Sequence, residues 1–470
     1  MNKDVCIGII GGGASGTLTA IQLLQKLNVP AQIYLIEKRR EATFRGNAYS
    51  SQLEYEPLNV QAGRMSLYNT QPDDFFNWLK NNKQVGSEIE ITKDSFVSRR
   101  WFGDYLTERI TEAVKQSPHA RLTTVTDEAN EINFDAKDEN YQLVLKSGRI
   151  INADYLIFAT GNEAPADVFN PGEIAGLNGH YVSNPWAINP LDRIKSDEDV
   201  LVIGTGLTMV DHVVSLQKRG HRGKIFCFSR NGYLPLSHVE IPRHYALPLN
   251  KEERSLTGIF SEIRKHVTED AQKNIPWQNT MDAMRGNMSA MWKLLSMDAK
   301  KYFLKRLRNF WEIHRHRMPV VSASIINGLI QDGQLQIFSG TSKGIEVIGH
   351  DVLFRFIDKR EKQERAVTVQ RIINCTGPSG DYYKTGNTLV KNLLAKAWMK
   401  QDELKLGIVT GERGEIIKSN GLPLKNAFAI GPLRKATEWE TTAIREIRVQ
   451  AEETAKYISA QIEAAQTILV

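Results

Sequence analysis

Gly11, Gly13 and Gly16 stand at Gly-x-Gly-x-x-Gly spacing directly behind the apolar run Val5-Cys6-Ile7-Gly8-Ile9-Ile10. Chemistry at such a turn is binding chemistry. The first glycine permits a tight turn, the second lets the backbone approach a pyrophosphate, and the third lets helix and strand pack closely. Ala14 and Ser15 open the helical pattern that follows, with Leu18, Ile21, Leu23, Leu24 and Leu27 on its apolar side. The N-terminus of that helix offers unpaired N–H groups and the positive end of its dipole to phosphate. A second apolar run, Ile33-Tyr34-Leu35-Ile36, ends in Glu37, with Lys38 next. An acid about 20 residues beyond the last glycine accepts hydrogen bonds from a ribose hydroxyl pair. Strand, turn, helix, strand and acid together form a complete dinucleotide-binding βαβ unit.

The same signal returns later. Val200-Leu201-Val202-Ile203 leads into Gly204-Thr205-Gly206-Leu207-Thr208-Met209, where Met209 takes the place of the third glycine. Its second strand, Ile225-Phe226-Cys227-Phe228, ends in Ser229-Arg230-Asn231-Gly232. Arg230 therefore occupies the position that Glu37 holds in the first unit. An acid there suits a free ribose hydroxyl pair, and an arginine accommodates a 2′-phosphate. The first unit is expected to take FAD and the second NADPH, through Gly204, Gly206, Thr208 and Arg230.

Other residues gather around these two turns. Ala153 to Ala159 reads as a buried strand running into Thr160-Gly161, where small residues let the backbone pass close to a cofactor. Ile372-Ile373-Asn374-Cys375-Thr376-Gly377 repeats that ending, and Phe428-Ala429-Ile430-Gly431-Pro432 forms a third apolar strand ending in glycine. Arg99 and Arg100 precede a helix expected to reach Val114. The aperiodic stretches Arg45 to Ser50 and Leu58 to Ser66 are rich in Gly, Asn and Ser, the composition of ligand-contacting loops.

Two such units, with what lies between them, account for 470 residues. The expected fold is α/β: two Rossmann-like dinucleotide-binding domains, for FAD and NADPH, with a helical insertion. The first domain is expected at 1–170 and 386–470, the second at 171–250 and 321–385, and the insertion at 251–320. Leu256, Ile259, Phe260, Ile263 and Val267, then Met288, Met291, Trp292, Leu294 and Leu295, recur at helical spacing within the insertion. That stripe reads as core. The insertion closes on His314-Arg315-His316-Arg317, the densest basic cluster of the chain, which suits a helix C-terminus or an anion.

Apolar content of 41% and charged content of 24% are those of a globular protein, and the net charge of +6 is spread along the chain. No basic stripe with interleaved aromatics calls for nucleic acid. The three cysteines, Cys6, Cys227 and Cys375, form no Cys-x-x-Cys, which disfavours a disulfide relay. No apolar stretch is long enough to span a bilayer, and a cytoplasmic protein with no membrane partner is expected. The Met- and Trp-rich helices offer a surface on which a homodimer could form.

Taken together, Gly11 to Gly16, Leu58-Asn59-Val60 with Met65-Ser66, Gly103-Asp104-Tyr105-Leu106, Gly204 to Asp211, Ser229 to Gly232, Arg315 to Arg317, and Gly431-Pro432 with Glu440 to Ala443 resemble bacterial FAD/NAD(P)-binding proteins. These are two-dinucleotide-domain flavoproteins related to class B flavin monooxygenases and amino-acid N-oxygenases. The resemblance implies FAD in the first domain, with Asn59 and Met65 near its isoalloxazine and Gly431 against it, and NADPH approaching from the second. It also implies N-oxygenation of a small amine or amino acid by O₂, through a flavin C4a-hydroperoxide. Arg100, His238, Arg434 and the Arg315–Arg317 cluster are candidates to hold an anionic substrate group. One departure stands out. The class B fingerprint Phe-x-Gly-x-x-x-His-x-x-x-Trp is replaced here by Ile174 to Trp186, with His180 and Trp186 at different spacing and no Phe. A flavin reductase or oxidase that passes electrons elsewhere, and a flavin-loaded binding or sensor protein, are the alternatives.

Overall fold

The computed structural model describes residues 4–50, 56–82, 85, 90–137, 139–240, 247 and 255–468. The chain divides into two compact units, one of Met1–Glu54, Val60–Glu163 and Gly380–Val470, the other of Tyr55–Asn59 and Ala164–Ser379.

The first unit is built on a six-stranded sheet. Its order is Glu415–Ile417, Pro423–Ala429, Tyr155–Phe158, Val5–Ile10, Ala31–Glu37, Ala120–Thr126. All neighbours are parallel except the first pair. Parallel strands covered on both faces read as unbroken apolar runs. Accordingly every residue of Tyr155–Phe158 is buried. Helix Ala14–Lys26 packs against the long helix Ile444–Ile468. The described stretch between helix Arg99–Gln116 and Tyr155–Phe158 is all strand and turn. Ala120–Thr126 joins the parallel sheet, and Ala129–Asp135, Asn140–Leu145 and Ile150–Ala153 make a separate antiparallel sheet. Ile132, Leu143 and Ile151 of that sheet share a core with Phe158 and Leu393.

The second unit carries a seven-stranded sheet. Its order is Glu364–Val369, Asp351–Asp358, Leu335–Ile348, Ile225–Ser229, Val200–Ile203, Arg371–Asn374, Tyr181–Val182. The strand Leu335–Ile348 belongs to two pairings. Leu335 to Ser339 run parallel to Ile225–Ser229, and from Gly340 onward the strand runs antiparallel to Asp351–Asp358. A Cβ on Gly340 would stand 1.9 Å from the Ile357 carbonyl oxygen, so only glycine fits where the pairing changes partner.

Between the two halves of this sheet lie the helices Leu256–Ala271, Trp277–Ala283, Met288–Leu294, Met297–Tyr302 and Arg308–Arg315, with a π-helical turn at Phe303–Leu307. Ile259, Ile263, Met281, Met284, Met288, Trp292, Phe303 and Trp311 are buried, so the Met and aromatic stripe is core. Buried Asp270 ties two of these helices together by accepting hydrogen bonds from Asn279 Nδ2 at 3.2 Å and Thr280 Oγ1 at 2.9 Å. The basic cluster at the end is interior too. Arg315 and Arg317 are buried, Arg317 pairs with Asp282, and His316 Nε2 lies 3.3 Å from Glu312 Oε2. Helix Val320–Gln331 then leads back into the sheet.

His212 is buried in helix Leu207–Lys218. Burial pushes its pKa down from 6.5 to about 4, although the Pro185 carbonyl to which it bonds pulls the other way. Between those two values the unfolded chain binds a proton that the folded chain refuses. The stability this neutral imidazole preserves is complete above pH 6.5 and is lost as pH falls toward 4. Lowering the pH from about 7.5 to about 5 is expected to cost about 2 kcal/mol through this group. Urea unfolding of wild type and His212→Asn at both pH values checks it, and the variant should lose that part of the slope.

Candidate functional site

The first unit folds its glycine turn as the spacing requires. Gly11 has φ +104°, and a Cβ there would sit 2.3 Å from the Ala159 carbonyl oxygen. A Cβ on Gly16 would lie 2.0 Å from the Gly11 carbonyl oxygen. Gly13 faces the backbone of Gly46, whose Cα would be 3.0 Å from such a Cβ. The loop that carries Gly46 is tied down over the turn. Phe44 donates its backbone N–H to the Gly12 carbonyl at 2.7 Å, and Thr17 Oγ1 donates to the Phe44 carbonyl at 3.1 Å. Gly46 lies in a stretch recognised only as loop-like, and its partnership with Gly13 carries no spacing signal.

The groups that could hold a nucleotide are aimed at this turn. Helix Ala14–Lys26 has no side-chain cap and no acid in its first turn, so its leading N–H groups and dipole are available to an anion. Glu37 accepts the Gly12 N–H at 3.0 Å and the Arg39 N–H at 3.2 Å. A carboxylate offers about four acceptor sites, so a ribose hydroxyl pair can still be served. Thr160 Oγ1 is buried without a hydrogen-bond partner among the described residues, one residue beyond the carbonyl that Gly11 faces. An unpaired buried hydroxyl costs about 1–3 kcal/mol, and a ligand group in the turn would relieve it. Gly161 has φ +74° and open space around it. Lys38 is exposed and lies 3.5 Å from Glu128.

Gly431 comes back to the same turn. A Cβ there would lie 2.7 Å from Ser15 Oγ, and its φ is +76°. Its N–H is held by Gln450 Oε1 at 2.8 Å and its carbonyl by Thr441 Oγ1 at 3.0 Å. The Gly-Pro ending was legible, but the Gln450 clamp was not. Arg434 corrects an expectation. It is fully buried, pairs with Glu438 and donates to the Glu412 carbonyl at 3.0 Å, so it is a structural cation and not a receptor for an incoming anion.

Asn59 and Met65, expected near the isoalloxazine, and Arg100 and His238, expected to hold an anionic group, fall in different units. Met65, in the first, is buried and caps the short turn Ala62–Arg64. Arg100, also in the first, lies in the opening turn of helix Arg99–Gln116 with Nε 3.9 Å from Asp104, whose carboxylate takes Arg45 Nη2 at 2.6 Å. Asn59 and His238 both belong to the second unit, and His238 Nε2 lies 3.2 Å from the Asn59 carbonyl oxygen.

In the second unit Gly204 repeats the geometry of Gly11. Its φ is +109°, and a Cβ would meet the Cys375 carbonyl oxygen at 2.3 Å. Gly206 is exposed at the uncapped start of helix Leu207–Lys218, with Thr208 half-buried behind it. Met209, in place of a third glycine, is fully buried in the core. Arg230 is exposed directly after Ile225–Ser229 and makes no ion pair among the described residues. Thr205 Oγ1 links the glycine turn to this strand end, 2.9 Å from Ser229 Oγ and 2.7 Å from the Tyr233 carbonyl. His180 has a structural partner, with Nδ1 2.8 Å from the Gln370 carbonyl. Burial pushes both the Cys227 and Cys375 thiols well up from their ordinary pKa, which leaves neither poised for exchange.

With this geometry in hand, residues 8–163 match the model of a family described as FAD-NAD(P)-binding. No curated protein matches the sequence. Among solved structures, the chain is similar to the ornithine N-hydroxylase of Kutzneria sp. 744, described with reduced FAD, NADP⁺ and L-ornithine. That match has a TM-score of 0.64 at 14% identity, over 98% of this chain and 99% of the other. It is also similar to ornithine hydroxylase from Pseudomonas aeruginosa, at TM-score 0.63 and 15% identity over 98% and 99%. L-lysine 6-monooxygenase from Pseudomonas syringae matches at 0.65 and 15% over 97% and 99%. The chain therefore shares its fold with these proteins. No helix among the described residues is long and apolar enough to cross a membrane.

Two substitutions probe the glycine turn of the first unit. Gly16→Val forces a side chain against the Gly11 carbonyl, and the purified variant should lack the visible flavin absorption. Thr160→Val keeps the shape and removes the unpaired hydroxyl, and should weaken flavin retention about tenfold while raising the melting temperature of the apoprotein. Flavin-to-protein absorbance ratios after dialysis read both outcomes.

Proposed function

We propose that the chain is an FAD- and NADPH-dependent oxidoreductase, a monooxygenase that N-oxygenates a small amine or amino acid. The observation that carries this reading is the pairing of two glycine-turn units with opposite strand-end chemistry, Glu37 in one and Arg230 in the other. The reading is supported by the end-to-end likeness in fold to proteins described as ornithine and lysine N-oxygenating enzymes. A further match, at TM-score 0.57, is a cadaverine monooxygenase from Erwinia amylovora described with bound FAD, which brings simple diamines into the substrate class.

In this reading the residues of the first unit bind and orient. The first turn of helix Ala14–Lys26 takes the pyrophosphate, Glu37 takes the adenosine ribose, and Thr160, Gly161 and Gly431 line the approach. FAD held there would supply hydride acceptance from the nicotinamide and activation of O₂, chemistry that belongs to the cofactor. The second unit presents Gly204, Gly206 and Thr208 to the NADPH pyrophosphate and Arg230 to its 2′-phosphate. An arginine fork meets phosphate bidentately, which favours NADPH over NADH. Asn59 and His238 are the second unit's candidates for the reacting end, and Met65 and Arg100 the first unit's.

The test is stoichiometry. Purified protein with NADPH and O₂ should release less peroxide per NADPH when the right amine is present, and the missing equivalent should appear as a hydroxylamine. A panel of ornithine, lysine, cadaverine and shorter amines provides the substrates. One peroxide per NADPH that no amine lowers would mean an oxidase or reductase, and no NADPH turnover at all would mean a binding or sensor protein.

A further inference from the structure

Arg230 is one cation, and a phosphate monoester carries a charge of about −1.5 to −2 near neutral pH. A receptor for it in an exposed position calls for a second positive group. The second unit supplies one from outside the nucleotide motif. Lys359 sits at the turn between the antiparallel strands Asp351–Asp358 and Glu364–Val369. Its Nζ donates to Asn231 Oδ1 at 2.8 Å, which parks the ammonium beside the residue that follows Arg230.

The framework beneath Lys359 is fixed. Its backbone N–H donates to the Ser339 carbonyl at 2.7 Å, and Ser339 is the residue registered against Ser229 at the end of the nucleotide strand. A Cβ on Gly232 would lie 3.1 Å from Ser339 Cβ, and the Gly232 N–H donates to Ser229 Oγ at 2.9 Å. The strand end and the arm turn are thus stitched together on the same edge of the sheet. The acids of the turn are already engaged. Asp358 accepts the N–H groups of Arg360 and Glu361, and Glu361 lies 3.2 Å from Arg365 Nη1. Neither Arg230 nor Lys359 forms an ion pair among the described residues.

We infer that Lys359 is the second half of a 2′-phosphate receptor, so that the antiparallel arm and the glycine unit together select NADPH. The inference rests on the proposed NADPH reading of this unit. The arginine supplies a planar fork, the lysine a compact point charge, and Asn231 holds the lysine in place until the phosphate arrives.

Binding of 2′,5′-ADP and 5′-AMP, measured by calorimetry on the flavin-loaded protein, separates the two claims. Lys359→Ala should weaken 2′,5′-ADP about tenfold and leave 5′-AMP unchanged. Lys359→Arg should restore most of the loss. Arg355→Gln, which removes an exposed cation paired with Glu346 in the same arm, serves as the charge control and should change neither. In turnover, the KM for NADPH should rise in Lys359→Ala while that for NADH stays the same. If Lys359→Ala behaves like Arg355→Gln while Arg230→Ala still weakens 2′,5′-ADP, the inference falls and the NADPH reading stands. If wild type binds 2′,5′-ADP no better than 5′-AMP, the NADPH reading falls and takes the inference with it.

Discussion

Both units depend on one steric constraint, the approach of a turn glycine to the carbonyl of a returning strand. At Gly11 the neighbour is the Ala159 carbonyl, at Gly204 it is the Cys375 carbonyl, and in each case a Cβ would stand 2.3 Å from that oxygen. No side chain larger than hydrogen can occupy either place, and both glycines hold a positive φ that other residues rarely adopt. Because the returning strand closes on the turn, the first helix starts at the sheet edge with its N–H groups open. Everything proposed about phosphate binding follows from that closure.

The two units use the constraint differently. The first adds Gly16, which lets helix Ala14–Lys26 ride on the Gly11 carbonyl, and overlays the turn with the Gly46 loop. The second has Met209 there, buried in a core shared with Val202 and Cys375, and leaves Gly206 exposed. The first turn is thus overlaid by the Gly46 loop, whereas a Cβ on Gly206 would meet none of the described residues. That contrast agrees with a resident cofactor in one and an exchanging cofactor in the other.

Much of this was legible in the residues. The two turns, the strand ends at Glu37 and Arg230, the returning Ala-Thr-Gly and Cys-Thr-Gly strands, and the apolar stripe of the insertion all follow local rules of spacing. What escaped was set by tertiary contact. Gly340 and Gly344 lie within one strand, Leu335–Ile348, where close approach of Ile357 and a φ of +112° call for glycine. Arg434 and Arg317 were candidates for an anionic substrate group by charge, while Glu438 and Asp282 hold them inside. The segment Tyr55–Asn59 belongs with the second unit, and nothing periodic in it marks that allegiance. Lys359 lies far along the chain from Arg230, and only the register between sheet and arm brings the two to one edge.

The strand order of the first sheet also sets a timetable. Tyr155–Phe158, buried throughout, pairs on one side with Val5–Ile10 and on the other with Pro423–Ala429, which the ribosome delivers only after the whole of Ala164–Ser379. The second unit, apart from Tyr55–Asn59, lies wholly within Ala164–Ser379 and is complete well before then. Of the two units, the one begun first is therefore finished after the other. Until then it carries an apolar parallel edge with unpaired N–H and C=O groups, the kind of surface that recruits stray strands. During biosynthesis the nascent chain must keep that edge out of contact with its neighbours, a demand on chaperones and on growth temperature.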